Sequence, residues 1–370
     1  MSFIIITSFF LLSVYAIILI WLAFGFFQTK DLSSEEKKNQ ISVSIIICAR
    51  NEEKTIEACL NSIIQQNYAS QNIQLILIND ASIDNTLKKS ECILRNSNID
   101  YQIISNSKKN GKKQSISNAM QFTKNELIIL RDADTFTISK IWLQTISDFY
   151  QNTKTDLIIG PVNISNNFGF LWAIQAIENS ILNLLSCGSN YFNYSFLCSG
   201  ANLIFRKALF EKTYGYNSHL NIESGDDVLF LEDVKKIRHV KIKYLKSSSA
   251  MVYTYPCYSI LTLVKQKIRW ASKFKFNPNR FNLFLSAITF LVNLLWLIFI
   301  LIIYLLPKLK FIALVFVILK LIIDILLLFL SSSFTKNKNL NWFSLPVMIL
   351  YPLYVLIIGL LSFFLKPKWK

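Results

Sequence analysis

Asp132 and Asp134 stand one residue apart where an apolar run, Leu127 to Leu130, stops. Such a run reads as a buried parallel strand, and ligands of open α/β sheets sit beyond the carboxyl ends of the strands. Two carboxylates at that rim can hold something cationic; the plain alternative is a turn, where Asp is common. Asp80 repeats the arrangement after Ile73 to Ile78, inside a cluster of turn and cap residues, Asn79-Asp80-Ala81-Ser82-Ile83-Asp84-Asn85-Thr86. Carboxylates repel phosphate unless a divalent cation lies between them. Mg²⁺ and Mn²⁺ accept such oxygen ligands and bridge them to phosphate oxygens. Acidic strand ends therefore point to a metal–diphosphate site.

The elements that must position these acids follow from hydrophobic patterning. Ser42 to Cys48 predicts a buried strand, and Asn51 is expected to cap a helix running to about Gln66, with Glu52 and Glu53 in its first turn. Further strands are expected at Ile73 to Ile78 and Tyr101 to Ser105, then a lysine-rich loop at Lys108 to Lys113, a short helix from Gln114 to Phe122, and the strand leading to Asp132. Strand–helix alternation predicts an α/β domain with a mostly parallel sheet. Neither G-x-G-x-x-G after the first strand nor G-x-x-x-x-G-K-[ST] occurs, so no glycine cradle is expected for a nucleotide. Downstream come Cys198-Ser199-Gly200-Ala201-Asn202, then Glu223-Ser224-Gly225-Asp226-Asp227 ahead of a helical stretch, then Gln266-Lys267-Ile268-Arg269-Trp270 in a basic amphipathic stretch.

Of 370 residues 52% are hydrophobic, and the mean hydropathy is +0.38, too apolar for an ordinary soluble protein. Phe3 to Phe27 is uncharged and long enough to cross a bilayer core. Lacking a basic n-region and a clear cleavage site, it reads as a retained transmembrane helix, with a cleaved signal as the alternative. Leu283 to Leu306, Phe311 to Leu330 and Trp342 to Leu365 are three further candidate spans. The expected plan is a membrane helix at 1–27, an α/β domain at 28–280 with interfacial helices at its C-terminal end, and membrane helices at 281–370.

The net charge is +16. Lys265, Lys267, Arg269, Lys273, Lys275, Arg280, Lys336 and Lys338 flank the apolar spans, which suits anionic lipid head groups and the cytoplasmic side. No nucleic-acid motif is present, so no nucleic-acid partner is expected. Six cysteines without C-x-x-C spacing suit a reducing compartment and argue against zinc. Two histidines argue against a His-based hydrolase. Lys320 and Asp324, four apart in an apolar span, share a helix face and read either as a functional pair or as a structural one facing a bundle.

From Ala49 to Trp270 these motifs run in one order: Ala49-Arg50-Asn51-Glu52, the Asp80 acid, Gly111-Lys112, Asp132-Ala133-Asp134, S-G-A-N, G-D-D and Q-x-x-R-W. The set resembles membrane-embedded family 2 glycosyltransferases with the inverting GT-A fold, of the cellulose-synthase and hyaluronan-synthase type. That resemblance implies roles. Asp80 would contact the base and ribose of a nucleotide-diphosphate sugar, a UDP-sugar above all, with Arg50, Glu52 and Lys112 near the nucleotide. Asp132 would face the nucleotide and share a Mg²⁺ or Mn²⁺ with Asp134, the main ligand. Asp227, with Asp226 beside it, would be the general base for the acceptor hydroxyl. Gln266, Arg269 and Trp270 would close over the diphosphate and line the acceptor path.

The chemistry is consistent with those roles. Inverting transfer needs one carboxylate at the acceptor hydroxyl, unlike glycoside hydrolysis, which uses two. A metal and a cation stabilise the leaving diphosphate, and a guanidinium such as Arg269 suits phosphate. The chain departs from the family in carrying G-D-D where T-E-D is frequent, with Glu232-Asp233 close behind; Asp227 is preferred because it stands in a loop before a helix. Lys112 also reads as a solvated loop lysine, Asn202 as a turn residue and Trp270 as an interfacial anchor. Phe168 to Leu185 reads as a core helix or one lying on the membrane. The acceptor would be lipid-linked or a glycan. Four spans are few for a polymer channel, so processive secretion is not implied. Nucleotide sugars are cytosolic, so 28–280 is expected to face the cytoplasm from the inner membrane, with both termini outside; Lys366, Lys368 and Lys370 fit that poorly. The alternatives are a polyprenyl-phosphate sugar transferase, which the Q-x-x-R-W segment disfavours, and a non-catalytic scaffold on the same fold.

Overall fold

The computed structural model describes residues 2–32, 40–220, 222, 225–272, 279–337 and 340–365. Glu223, Ser224, Lys273, Lys275, Lys338, Lys366, Lys368 and Lys370 lie outside the described residues. The first half of the chain runs α1 (Ser2–Gln28), β1 (Val43–Ala49), α2 (Ile56–Ile64), β2 (Ile73–Asn79), α3 (Thr86–Arg95), β3 (Asp100–Ser105), α4 (Lys112–Met120), β4 (Leu127–Asp132), β5 (Thr135–Phe136), α5 (Trp142–Thr153), β6 (Leu157–Ile159) and β7 (Val162–Ile164). The second half adds α6 (Phe170–Tyr191), β8 (Leu203–Arg206), α7 (Lys207–Lys212), α8 (Asp226–Lys235), β9 (Ile242–Tyr244), β10 (Val252–Thr254), α9 (Ile260–Ser272), α10 (Arg280–Leu305), α11 (Lys310–Thr335) and α12 (Ser344–Phe364).

Two compact units result: Thr29–Ser165 with Asn190–Tyr255, and Met1–Gln28 with Asn166–Ser189 and Pro256–Trp369. The segments carrying α6 and α9, expected within 28–280, thus group with the apolar helices. Both helices place polar side chains against that unit's interior: Glu178 of α6 meets Lys267 of α9 and Tyr354 of α12.

In the α/β unit the main sheet has the order β3-β2-β1-β4-β8-β6-β9. β1, β2, β3 and β4 pair in parallel, and only β8 runs antiparallel to its neighbours β4 and β6. The central runs are apolar on both faces because both faces are covered; Ile45, Ile46, Ile47, Leu75, Leu77, Ile128 and Ile129 are all buried. The chain steps outward from β1 to β2 and β3, then returns to β4 on the other side of β1. That reversal opens a crevice at the carboxyl ends of β1 and β4, where Cys48 pairs with Asp132. A small sheet, β5-β10-β7, continues from the strand-end acids.

Two helix starts differ from expectation. α2 begins at Ile56, with Asn51 in left-handed backbone (φ 54°) instead of capping it. α4 begins at Lys112, directly after Gly111 with φ 84°, which puts two of the loop lysines into the first helical turn.

In the other unit four helices are long and apolar enough to cross a membrane: Ser2–Gln28, Arg280–Leu305, Pro307–Thr335 and Ser344–Ser362. α1 and α6 pack closely enough that a Cβ at Gly188 would meet the backbone carbonyl of Leu22. Lys320 and Asp324 pair within the bundle, and Tyr15 Oη donates to Asp324 at 3.0 Å, tying α1 to α11. The pair therefore faces the bundle interior.

Candidate active site

The loops leaving β1 and β2 are fastened to each other. The backbone N–H of Asn51 donates to Ser82 Oγ at 3.1 Å, that of Glu52 to Thr86 Oγ1 at 2.7 Å and that of Glu53 to Asp84 Oδ2 at 3.1 Å. In return Ile83 N donates to Asn51 Oδ1 and Asn85 N to Glu53 Oε2. Asn51 Oδ1, the acceptor a cap would have used, is taken by Ile83 N, and Glu53 N, one of the amides it would have served, is taken by Asp84, which is why α2 starts late. Ala81 also adopts left-handed backbone (φ 53°), a strain of about 1–2 kcal/mol for a residue with a Cβ that the zipper offsets. Arg50 Nη1 donates to Asp80 O at 2.7 Å, and Glu52 Oε2 accepts from Thr55 Oγ1 at 2.9 Å. Both candidate nucleotide residues brace the rim.

Burial alone would raise the Asp84 carboxyl, but hydrogen bonds from Thr86 and the Glu53 amide outweigh it and hold the group below its usual range. A depressed folded value means that Asp84 adds stability above the unfolded carboxyl range near ~4. This contribution is lost as pH falls through the folded value. Asp84→Asn is therefore expected to lower the melting temperature at pH 7, with the gap to wild type closing below about pH 4; thermal melts between pH 7 and pH 3 check this.

Asp80 is fully buried. Its Oδ1 accepts from Asn106 Nδ2 and Asn110 N, both at 2.8 Å, and its Oδ2 accepts from Gly111 N at 2.9 Å. The carboxylate thus shapes the loop that delivers Lys112. Lys112 Nζ lies 2.7 Å from Asp132 Oδ1 and 2.7 Å from Asp226 Oδ2. Burial would depress this ammonium, but the two carboxylates outweigh burial and hold it well above its ordinary value. It is not a solvated loop residue. Gly200 closes the third side, since a Cβ there would come within 3.0 Å of Asp226 Oδ2 and 3.1 Å of Lys112 Nζ.

Asp226 and Asp227 open α8, after Gly225 with φ 83°. The positive end of a helix favours carboxylates there. Asp227 Oδ1 accepts from Val228 N at 2.8 Å, and Gly200 N points at Oδ2 from 3.4 Å. Asp233 is tied up elsewhere, with His219 Nε2 at 2.7 Å and Lys236 Nζ at 2.6 Å. Burial pushes the Cys48 thiol beside Asp132 up to about 12, so it stays protonated and is no nucleophile.

Several residues that build the site carry no obvious sequence signal. Arg131, buried in β4, donates from Nη2 to Ser62 Oγ at 2.9 Å and from Nε to Thr135 Oγ1 at 3.2 Å, and Thr135 Oγ1 donates to Asp132 O at 2.7 Å. It fixes the turn that holds Asp132 and Asp134; the available hint was a charge inside an apolar strand. Lys113, buried next to Lys112, donates to His219 O and Ile222 O at 2.9 and 2.8 Å and tethers the segment ahead of α8. Tyr216 is fully buried near Asp226 and Lys112, its hydroxyl without a hydrogen-bond partner among the described residues. Asn202, by contrast, belongs to the S-G-A-N motif already singled out; it is a buried brace, its Nδ2 donating to Pro161 O and Ala250 O at 2.9 and 3.0 Å.

Among the described residues no group of three or more His, Cys, Asp or Glu side chains could hold a metal ion. Asp132 and Asp134 supply at most two carboxylates, and Asp132 Oδ1 is already matched to Lys112. This donor set fits an octahedral Mg²⁺ or Mn²⁺ that takes one or two carboxylates and fills its shell with phosphate and water. It does not fit a preformed protein cage. Asp80, Lys112, Asp132, Asp226, Asp227, Arg50 and Glu52 all lie in the α/β unit; Gln266, Arg269 and Trp270 lie on α9 of the other unit.

Residues 44–214 match the model of a family described as glycosyl transferase family 2. The chain is 26% identical over 247 residues to a poly-beta-1,6-N-acetyl-D-glucosamine synthase of Staphylococcus epidermidis, covering 65% of this chain and 56% of that one. It is 28% identical over 148 residues to the UDP-Glc:alpha-D-GlcNAc-diphosphoundecaprenol beta-1,3-glucosyltransferase WfgD of Escherichia coli, covering 40% and 56%. The chain thus spans little more than half the length of these curated relatives. The mannosyltransferase PcManGT from Pyrobaculum calidifontis, solved with GDP-Man and Mn²⁺, aligns with a TM-score of 0.54 at 11% identity over 95% of this chain and 97% of that one, a likeness of fold.

Proposed function

Residues 44–214 are a glycosyl transferase family 2 domain on a GT-A fold, and from that premise we propose that the chain is an inverting, metal-assisted glycosyltransferase. It moves a sugar from a nucleotide-diphosphate donor, a UDP-sugar, to a lipid-linked or glycan acceptor at the cytoplasmic face of a membrane. The observation that carries this reading is the cluster at the β1–β4 crevice: one ammonium shared by Asp132 and Asp226, with Asp227 adjacent. Asp227 takes the proton from the acceptor hydroxyl. The Lys112 ammonium supplies fixed positive charge where the diphosphate gathers negative charge. Asp80 holds the loop that presents Lys112, while Arg50 and Glu52 keep the nucleotide side of the rim in shape. A divalent ion held by Asp134 and Asp132 would neutralise the leaving diphosphate. The lid role of Gln266, Arg269 and Trp270 rests on their motif.

Names of relatives support the donor and acceptor classes: one acts from UDP-Glc on a diphosphoundecaprenol-linked sugar, another is a polysaccharide synthase. The four long apolar helices support the membrane setting. The test incubates membranes containing the full chain with a panel of radiolabelled nucleotide sugars and Mn²⁺. Label is expected to enter lipid or polymer, to stop on chelation and to resume when Mn²⁺ is restored. Asp134→Ala is expected to reduce incorporation about 10²-fold or more. No incorporation from any donor, together with no binding of a nucleoside diphosphate, would leave the scaffold reading in its place.

A further inference from the structure

α6 reaches α9 at two points one helical turn apart. Gln175, buried, donates from Nε2 to Cys257 O at 3.1 Å and accepts from Cys257 N at 2.8 Å, hooking the segment that enters α9. Three residues on, Glu178 Oε2 lies 2.6 Å from Lys267 Nζ and accepts from Tyr354 Oη of α12 at 3.3 Å. Lys267 is only 5% exposed, and its ammonium stands 4.0 Å from the centroid of the Trp270 ring. At 3.6 residues per turn, Gln266, Arg269 and Trp270 share one face of α9, and Lys267 lies on the Trp270 side of it. A hydrogen-bonded and ionic chain therefore runs from Tyr354 through Glu178 and Lys267 to the face of Trp270.

The buried side of α9 is otherwise apolar, with Leu263 and Ile268 both buried. An apolar residue at 267 would pack there without the desolvation cost of a charge, and buried ion pairs are weak contributors to stability compared with apolar packing. What a cation adds is geometry. It can meet a carboxylate on one side and the negative face of an indole on the other, and so fix the ring's orientation.

We propose that Glu178 and Lys267 are positioning residues that set the orientation of the Trp270 side chain for glycosyl transfer. The inference rests on the transferase reading above, in which Trp270 takes part in the reaction. The pair acts through Trp270 and does not itself touch donor or acceptor.

The experiment uses the full chain in membranes or detergent. It measures kcat and donor KM, nucleoside-diphosphate binding with Mn²⁺ by calorimetry, and melting temperature. Lys267→Met is expected to lower kcat about tenfold or more while nucleotide affinity stays within about twofold. Lys267→Arg, which keeps the cation over the ring, recovers most of the turnover. The exchange Glu178→Lys with Lys267→Glu restores the ion pair and the melting temperature. It does not restore turnover, because it sets a carboxylate against the negative ring face. Wild-type turnover in the exchanged pair would reduce Glu178 and Lys267 to a structural pair and overturn the proposal. So would wild-type turnover in Lys267→Met alongside a crippled Trp270→Ala. If Lys267→Met does not fold, Glu178→Gln carries the same expectation, since it keeps an acceptor for Lys267 but loses the charge. Full activity of Trp270→Ala instead overturns the role of the Q-x-x-R-W helix, a failure distinguishable from the first.

Discussion

Asp227→Asn is expected to lower sugar transfer about 10²- to 10⁴-fold, the usual worth of a positioned general base, while nucleoside-diphosphate affinity stays within about twofold. The amide keeps the shape of the side chain and its place in the first turn of α8. It keeps an oxygen for the Val228 amide, which now meets Oδ1 at 2.8 Å. It loses the capacity to take a proton. Asp226 differs although it is the immediate neighbour, because its Oδ2 is held by Lys112 at 2.7 Å. Asp226→Asn therefore disturbs the cation as well as the acid, and its effect should extend to donor binding. Initial rates with saturating donor, set beside calorimetric titration with UDP and Mn²⁺, separate the two. Retained turnover in Asp227→Asn together with a dead Asp226→Asn of unchanged nucleotide affinity would move the base to Asp226.

Lys112→Met is expected to act in two directions at once. With the ammonium gone, Asp132 and Asp226 face each other as like charges across the space it filled; at about 5 Å and an effective dielectric near 20 their repulsion is about 3 kcal/mol. The relief available is a cation. Binding of Mn²⁺ alone, followed by loss of its free-ion paramagnetic resonance signal, should strengthen about tenfold, since 1.4 kcal/mol of recovered repulsion suffices. Turnover should fall about 10²-fold, because a metal that binds more tightly does not replace the fixed ammonium that the proposed mechanism sets beside the diphosphate. Unchanged Mn²⁺ affinity and unchanged turnover would return Lys112 to a bystander lysine.

The sheet was legible because its strands are buried on both faces. Ile45 to Cys48, Leu75 to Ile78 and Leu127 to Leu130 are apolar without interruption, and polar residues such as Arg50, Asn79 and Arg131 follow them closely. The acids at the strand ends were legible for the same reason. The start of α2 was not. Asn51 with two glutamates after it is a good local capping signal, but from the next strand's exit Ile83 N takes its side-chain oxygen and Asp84 takes the Glu53 amide. Within Lys-Lys-Asn-Gly-Lys-Lys only the Gly111-Lys112 motif singled out Lys112, and a solvated loop lysine stayed open as its alternative. Once α4 starts at Lys112, successive residues diverge by about 100° around its axis, and one reaches the acids while the other reaches the His219 carbonyl. The pairings of Arg131 and Lys267 are not legible in the sequence because their partners, Ser62 and Glu178, are remote along the chain.

The fastening of the β1 exit to the β2 exit bears on how such enzymes are re-engineered. Each loop satisfies its backbone with the other's side chains, so neither is an interchangeable module. Transplanting Asn51 to Glu53 from another transferase without its matching Ser82-to-Thr86 segment would remove the acceptors that Ile83 N and Asn85 N now use, and a graft here has to carry both loops as one cassette.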